Sequence, residues 1–361
     1  MAIAAIVGRP NVGKSSIFNR ILGKRAAIVD DQPGVTRDRL YGETEWAGKK
    51  FYIVDTGGIR SQTEHPFMDL IEKQVDLAVD ESGVIIFVVD GMTGVTPTDA
   101  EIAHKLRRSG KPVVVAMNKL DSQNLEDAMI GEASGLGFDE VAGASAEHNT
   151  GFNELMDIVA SKLEDDEFDE DSDEIRVTLA GRPNVGKSSL LNAFAGEERS
   201  MVSDIAGTTR DVVDSVVELG GKKFRFLDTA GLRRKSRVNS ALEYYSNVRT
   251  YQAIDRCHVA LVLLGAQDLL TEQDKRLVGQ VLERGKGIVL VVNKWDLAPK
   301  EEKTGDVITK KLIEELPLAA HAPRVFISAL SGRSLGKLPE MILKVEENRR
   351  RRIPTSELNR L

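Results

Sequence analysis

The chain has a single cysteine, Cys257, in 361 residues. That excludes an internal disulfide and any cysteine-based metal cluster. The five histidines are scattered without the spacing of metal ligands. Cys257 reads as a small buried residue at a strand start. No apolar run reaches the roughly 18 residues of a membrane span. The opening MAIAAIVGRP passes straight into an apolar strand pattern with no basic segment before it, so a cytoplasmic protein without a membrane partner is expected. What is present is ordinary for a globular protein: 41% hydrophobic and 29% charged residues. The length exceeds the roughly 250–300 residues at which a single core stops growing, so two domains are the natural division.

Charge is unevenly spread. The formal net charge is −7, yet residues 1–163 carry 17 basic against 24 acidic side chains and residues 175–361 carry 32 against 23. Between them, EDDEFDEDSDE at 164–174 holds nine acids and no base. One apolar residue in such a stretch cannot drive folding, and it reads as a linker. The basic second half either meets a polyanion or simply offsets that linker.

The chain is organised around a repeat. Residues 8–16 read GRPNVGKSS, and residues 181–189 read the same. Each copy fits G-x-x-x-x-G-K-[ST], follows an apolar strand-like run (AIAAIV, IRVTLA) and opens a helix. The first comprises Gly8, Arg9, Pro10, Asn11, Val12, Gly13, Lys14, Ser15 and Ser16; the second Gly181, Arg182, Pro183, Asn184, Val185, Gly186, Lys187, Ser188 and Ser189. In such a loop the backbone N–H groups and the helix N-terminus face phosphate oxygens. Lys14 and Lys187 are expected to reach the terminal phosphates, and the hydroxyls of Ser15 and Ser188 to bind Mg²⁺.

Other stretches recur in step. Gly34-Val35-Thr36-Arg37-Asp38 returns as Gly207-Thr208-Thr209-Arg210-Asp211, and Asp55-Thr56-Gly57-Gly58 as Asp228-Thr229-Ala230-Gly231, both 173 residues on. Asn118-Lys119-Leu120-Asp121 returns as Asn293-Lys294-Trp295-Asp296 after 175, and the turn Ser145-Ala146 as Ser328-Ala329 after 183. Between the motifs, RLYGETEW and KKFYIVDT read as a hairpin turning at Ala47-Gly48, with helices expected near 66–79, 98–108, 152–163 and 338–347 and a short strand near Val141. Strands and helices alternate, so each half should be a mostly parallel α/β sheet with helices on both faces. The expected division is residues 1–163 and 175–348 for the two domains, with a basic tail at 349–361.

The Asn-Lys-x-Asp tetrads choose the base. A carboxylate at Asp121 or Asp296 accepts both the ring N–H and the exocyclic amine of guanine, whereas adenine presents the opposite polarity. A site built on such bonds rejects the wrong base by ~10⁴–10⁵. Asn118 and Asn293 are expected to tie the base loop to the phosphate loop or the base, the stems of Lys119 and Lys294 to lie on the ring, and the serine–alanine turns to contact the guanine oxygen. Thr36 and Thr209 stand where a hydroxyl completes the Mg²⁺ shell when a γ-phosphate is present. Asp55 and Asp228 hold that ion through water, and Gly58 and Gly231 offer the γ-phosphate an N–H. Hydrolysis then removes the ligand that orders two loops, which makes a switch.

In order and in duplicate, these motifs resemble the translation-factor class of P-loop GTPases. The tandem pairing of GRPNVGKSS, DTGG with DTAGLRRKS, and NKLD with NKWD resembles the Der (EngA) family of ribosome-assembly GTPases. The resemblance implies GTP hydrolysis, GTP/GDP and Mg²⁺ as ligands, and maturation of the large ribosomal subunit with contact to its rRNA. A monomer is expected. Many small GTPases place a glutamine after the D-x-x-G turn to orient water; here Ile59 and Leu232 stand there. Relatives with this replacement often carry an asparagine in the phosphate loop that helps hold K⁺, and Asn11 and Asn184 match it. The alternative is that these asparagines only shape the loop. Der-like proteins also have a third, KH-like domain. By that resemblance the tail from Arg349 is its beginning, with most of it absent. The basic footprint is then Arg349–Arg352 with Arg233, Arg234, Lys235 and Arg237. Alternatives are a scaffold in which one unit binds GTP with little turnover, and a tandem GTPase of another RNA-related pathway.

Overall fold

Valine, isoleucine and alanine runs such as VIIFVVD and VVVAMN have no polar face, so they suit only strands covered on both sides. The computed structural model places them so. It describes residues 2–23, 41–58, 67–120, 123–164, 173–196, 214–229, 240–298 and 304–358. Thr36, Asp121, Thr209, Ala230 and Gly231 lie outside the described residues. So do Ile59, Leu232, the two loops carrying the threonines, most of the acidic segment, and the basic cluster at 233–237.

The chain divides into two compact units, each built on a six-stranded sheet. In the first, β1 (Ala2–Val7), β2 (Tyr41–Trp46), β3 (Lys49–Asp55), β4 (Val84–Asp90), β5 (Val113–Asn118) and β6 (Val141–Gly143) lie in the order β2-β3-β1-β4-β5-β6. Only β2 runs antiparallel, joined to β3 by a two-residue turn in which Ala47 and Gly48 both take positive φ (49° and 78°). That geometry matches strand twist. The helices are α1 (Lys14–Leu22), α2 (Phe67–Glu81), α3 (Pro97–Ser109), α4 (Gln123–Ser134) and α5 (Phe152–Lys162). Strand alternation divides the core: Ala4, Ile6, Ile86 and Val88 point into one apolar layer with Phe18 and Leu155, while Ala5, Val7, Ile85 and Phe87 point into the other with Val75 and Leu106.

The second unit repeats the plan. Strands β7 (Ile175–Ala180), β8 (Ser215–Leu219), β9 (Lys222–Phe226), β10 (Val259–Gly265), β11 (Gly287–Asn293) and β12 (Arg324–Phe326) lie in the order β8-β9-β7-β10-β11-β12, again with one antiparallel pair, β8 with β9. Its helices are α6 (Lys187–Gly196), the part of α7 (Ser240–Arg256) from Arg249 onward, α8 (Glu272–Glu283), α9 (Thr304–Glu315), α10 (Lys337–Arg350) and the short α11 (Thr355–Leu358). Helices α3 and α8 both begin with a capping box, Thr96 with Asp99 and Thr271 with Asp274. Cys257 is buried just after the last turn of α7, where its thiol donates to the Ile254 carbonyl at 3.2 Å. Among the described residues no helix is long and apolar enough to cross a membrane.

One boundary differs from the sequence reading. The last long helix runs on through Arg350, because Glu346, one turn back and 3% exposed, binds Arg349 through Nε and Nη2 (2.6 and 2.9 Å) and Arg350 through Nε (2.6 Å). Two of the four arginines of the expected basic footprint, Arg349 and Arg350, are therefore paired with an internal carboxylate. Arg351 and Arg352 are exposed.

Candidate functional site

In each unit the site lies at the C-terminal ends of the central strands, where a parallel sheet leaves loops around a crevice. The phosphate loop connects β1 to α1 and β7 to α6. Its shape depends on backbone that L side chains seldom adopt: φ is 149° at Gly8 and Gly181, 94° at Gly13 and 106° at Gly186. A Cβ on Gly181 would lie 2.7 Å from the Leu263 carbonyl oxygen, and one on Gly13 would meet the Asn118 amide. Asn11 and Asn184 also have positive φ, 66° and 61°, which asparagine tolerates better than other non-glycine residues, and both are exposed.

Lys14 is buried and folds back on its own loop, its Nζ donating to the carbonyls of Gly8 and Arg9, both at 2.8 Å. Lys187 does the same to Gly181 (2.6 Å) and Arg182 (2.9 Å). Burial is the main reason both ammonium groups fall to about 8; for Lys14 the Asp55 charge opposes that fall and Arg9 adds to it. Ser15 Oγ donates to Asp55 Oδ2 at 2.6 Å, while Asp55 Oδ1 accepts from the Gly57 N–H at 2.8 Å. Thr56 is buried and bonds the Ile6 carbonyl, which fixes the end of β3 to β1. In the second unit Thr229 shares a bond with Ser215, and Asp228 has a φ of 54°. Its N–H donates to Asp214 Oδ1. A hydroxyl beside one carboxylate is a hard-oxygen donor pair of the kind Mg²⁺ uses together with substrate phosphates and water. Among the described residues no cluster of three or more His, Cys, Asp or Glu offers a self-sufficient metal cage.

The asparagines of the two tetrads are 2% exposed and wired alike. Asn118 Nδ2 donates to the Val12 carbonyl (2.8 Å) and its Oδ1 accepts the Ala146 N–H (3.1 Å). Asn293 joins Val185 (2.9 Å) and Ala329 (3.0 Å) in the same way. Each thus ties the phosphate loop to the serine–alanine turn, whose buried Ser145 or Ser328 caps the turn by accepting the N–H of His148 or Ser331. Lys119 and Lys294 follow with φ of 69° and 60°. Asp296 is exposed in a tight turn, Trp295–Leu297.

Some wiring was not read from the sequence. Arg9 Nε bonds the fully buried Asp99 (3.1 Å) and Arg182 Nε the fully buried Asp274 (2.9 Å), so the two arginine side chains anchor their loops to the caps of α3 and α8. The threonine–aspartate spacing of those caps was legible; the arginines' choice of partner was not. Asp90, which ends β4 as Asp55 ends β3, bonds Lys119 Nζ at 2.7 Å.

The family model for 50S ribosome-binding GTPases matches residues 3–119 and 176–294. The chain is 48% identical over 358 residues to the GTPase Der of Caldicellulosiruptor saccharolyticus, covering 98% of this chain and 81% of that protein. It is 46% identical over 359 residues to the GTPase Der of Fusobacterium nucleatum, covering 99% and 82%. Among solved structures, the FeoB G-domain of Methanococcus jannaschii matches 45% of the chain and 96% of its own length, at 26% identity and a TM-score of 0.34.

Proposed function

The chain belongs to the GTPase Der family and hydrolyses GTP on two P-loop GTPase units; from that premise we propose that it is a cytoplasmic switch for assembly of the large ribosomal subunit. The observation that carries the proposal is the match of both units to a 50S ribosome-binding GTPase family together with their common wiring. Cosedimentation with large-subunit particles, with GDP, with GTP and with a non-hydrolysable GTP analogue, tests it. Binding that depends on the triphosphate is expected; equal binding with GDP and GTP, or none in any state while GTPase activity is intact, refutes it for this chain.

Each site works by position and charge. The phosphate-loop N–H groups and α1 or α6 N-terminus receive the phosphates. Lys14 and Lys187 leave their own loop carbonyls to neutralise the terminal phosphates, and Asp121 or Asp296 reads guanine. Ser15 with Asp55, and Ser188 with Asp228, would hold Mg²⁺, joined by Thr36 and Thr209. The ion supplies charge neutralisation at the phosphoryl oxygens. Gly58 and Gly231 bond the γ-phosphate through backbone N–H, so losing that phosphate releases the following segment.

With Ile59 and Leu232 in the water-orienting positions, Asn11 and Asn184 are the residues to hold K⁺, whose charge does the work otherwise done by an arginine finger, about 10³–10⁵ in rate where an arginine provides it. Turnover should be slow and should rise when K⁺ replaces Na⁺; equal rates in the two salts refute that role. A second reading, in which one unit binds nucleotide and hardly turns it over, is favoured by the different holding of Lys119 and Lys294. Lys14→Ala and Lys187→Ala, assayed separately, show which site carries turnover.

A further inference from the structure

The two guanine sites share a backbone frame, and one of their differences falls on the residue that ends the strand beside the tetrad's own. In the first, the last residues of β4 and β5, Asp90 and Asn118, are register partners, and the Gly91 N–H donates to the Asn118 carbonyl at 2.7 Å. In the second, Gly265 and Asn293 end β10 and β11 in the same register, and the Ala266 N–H donates to the Asn293 carbonyl at 3.0 Å. The lysine that follows has left-handed backbone in both. What Gly265 lacks is a carboxylate.

That carboxylate sets the lysine. Asp90 is 5% exposed, and its Oδ1 accepts the N–H groups of Met92 (3.0 Å) and Thr93 (3.4 Å), which orients Oδ2. Lys119 Nζ is then held between Asp90 Oδ2 (2.7 Å) and the Asn11 carbonyl of the phosphate loop (2.8 Å). Burial pushes the Asp90 carboxyl up, but the Lys119 bond and the Met92 N–H outweigh it and hold the group below its ordinary value, so it is charged at neutral pH. Lys294 is exposed and, among the described residues, makes no ion pair.

We propose that Asp90 is a positioning residue for guanine-nucleotide binding: it holds the Lys119 stem in place before the base arrives, and its replacement by Gly265 makes the second site the looser one. The proposal rests on the reading of both tetrads as guanine sites. Fixing a four-carbon side chain removes rotamer freedom, and a site in which it is already fixed does not incur that loss on binding. The first site therefore releases nucleotide more slowly, and its occupancy outlasts that of the second. A free ammonium at Lys294 also adds positive potential at the second mouth, which accelerates entry more than it slows exit. The two units are then suited to different parts of one cycle, the first to keep its nucleotide and the second to exchange it.

The exchange of side chains is sterically open. Gly265 has no positive φ, and a Cβ built there meets no atom within 4 Å. The test uses the full chain with one site silenced, Lys187→Ala to read the first and Lys14→Ala to read the second, and follows release of a fluorescent GDP by stopped flow. Asp90→Gly should speed release from the first site about three- to tenfold, and Gly265→Asp should slow release from the second by a similar factor. Because Asp90 acts through Lys119, Asp90→Gly should change nothing in a chain that already carries Lys119→Ala. Unchanged release in Asp90→Gly, or the same acceleration with Lys119 absent, overturns the proposal. Failure of both silenced parents to bind any fluorescent GDP overturns the guanine reading beneath it, and the proposal with it.

Discussion

Asn118 can be perturbed in a way that separates hydrogen bonding from packing. It is almost fully buried, and its amide spans two loops, donating to Val12 and accepting from Ala146. Asn118→Ala removes both bonds and leaves a carbonyl and an N–H unpaired, a loss of about 2–4 kcal/mol from the first unit. Asn118→Asp keeps the shape and the Ala146 bond but sets an oxygen against the Val12 carbonyl. The acid can restore that bond only when protonated. Protonating an ordinary carboxyl costs about 5 kcal/mol at pH 7.5 and about 1.5 at pH 5, a slope of about 1.4 kcal/mol per pH unit. The aspartate variant should therefore recover in acid relative to the parent, while the alanine variant stays level. The chain's two tryptophans make the assay specific: Trp46 lies on β2 and bonds Asp157, and Trp295 lies in the second unit against Phe326. In a Trp295→Phe background, urea unfolding followed at Trp46 reports the first unit alone. With a slope near ~2 kcal/mol per molar urea, a 3 kcal/mol loss moves the midpoint by about 1.5 M. Equal midpoints for the two variants at pH 5 and pH 7.5 would refute the donor role of the amide.

Lys14 and Lys187, both drawn down to about 8 by burial, should take up a proton when phosphates arrive, since an adjacent anion raises an ammonium. Uptake should be small near pH 6.5 and grow as pH passes 8. Titration calorimetry with GDP in two buffers of different ionisation enthalpy measures it, and uptake that stays flat from pH 7 to 9 contradicts the burial. At the far end of the second sheet, His258 accepts the Arg176 N–H through Nδ1 and is held down to about 4, by burial first and then by the Arg176 charge, against the pull of Glu346. The folded state then binds fewer protons than the unfolded one below pH 6.5, so stability falls as pH drops from 6.5 toward 4. Loss of the Glu346 charge, itself held low by Arg349 and Arg350 against burial, adds a further fall below pH 4.5. Urea midpoints read at Trp295 in a Trp46→Phe background should show the first fall, and His258→Asn should flatten it while leaving the second.

Much of this molecule is written locally and therefore legibly. The turn at Ala47-Gly48, the buried runs of β4, β5, β10 and β11, and the two phosphate loops each depend on a few neighbouring residues, and the chain states them twice. Side-chain partnerships over long separations are different. Nothing in GRPNVGKSS says that its arginine will meet an aspartate 90 residues later in one unit and 92 in the other. The run of four arginines is a mixed case: Glu346 stands three and four residues before Arg349 and Arg350, a spacing the sequence shows, but the burial of that carboxylate depends on how α10 lies on β11. The difference between Asp90 and Gly265 falls between these cases. The two positions are 175 residues apart, the same displacement as the NKxD tetrads, so alignment of the repeat exposes the change at once. Its meaning requires the fold, since only parallel pairing of β4 with β5 brings a strand-ending carboxylate within reach of the lysine after Asn118. A duplicated site loses one partner without losing its frame, and where the frame is kept the missing side chain can be put back. That is why Gly265→Asp is the more demanding variant: it asks one added carboxylate to reproduce in the second unit what Asp90 does in the first.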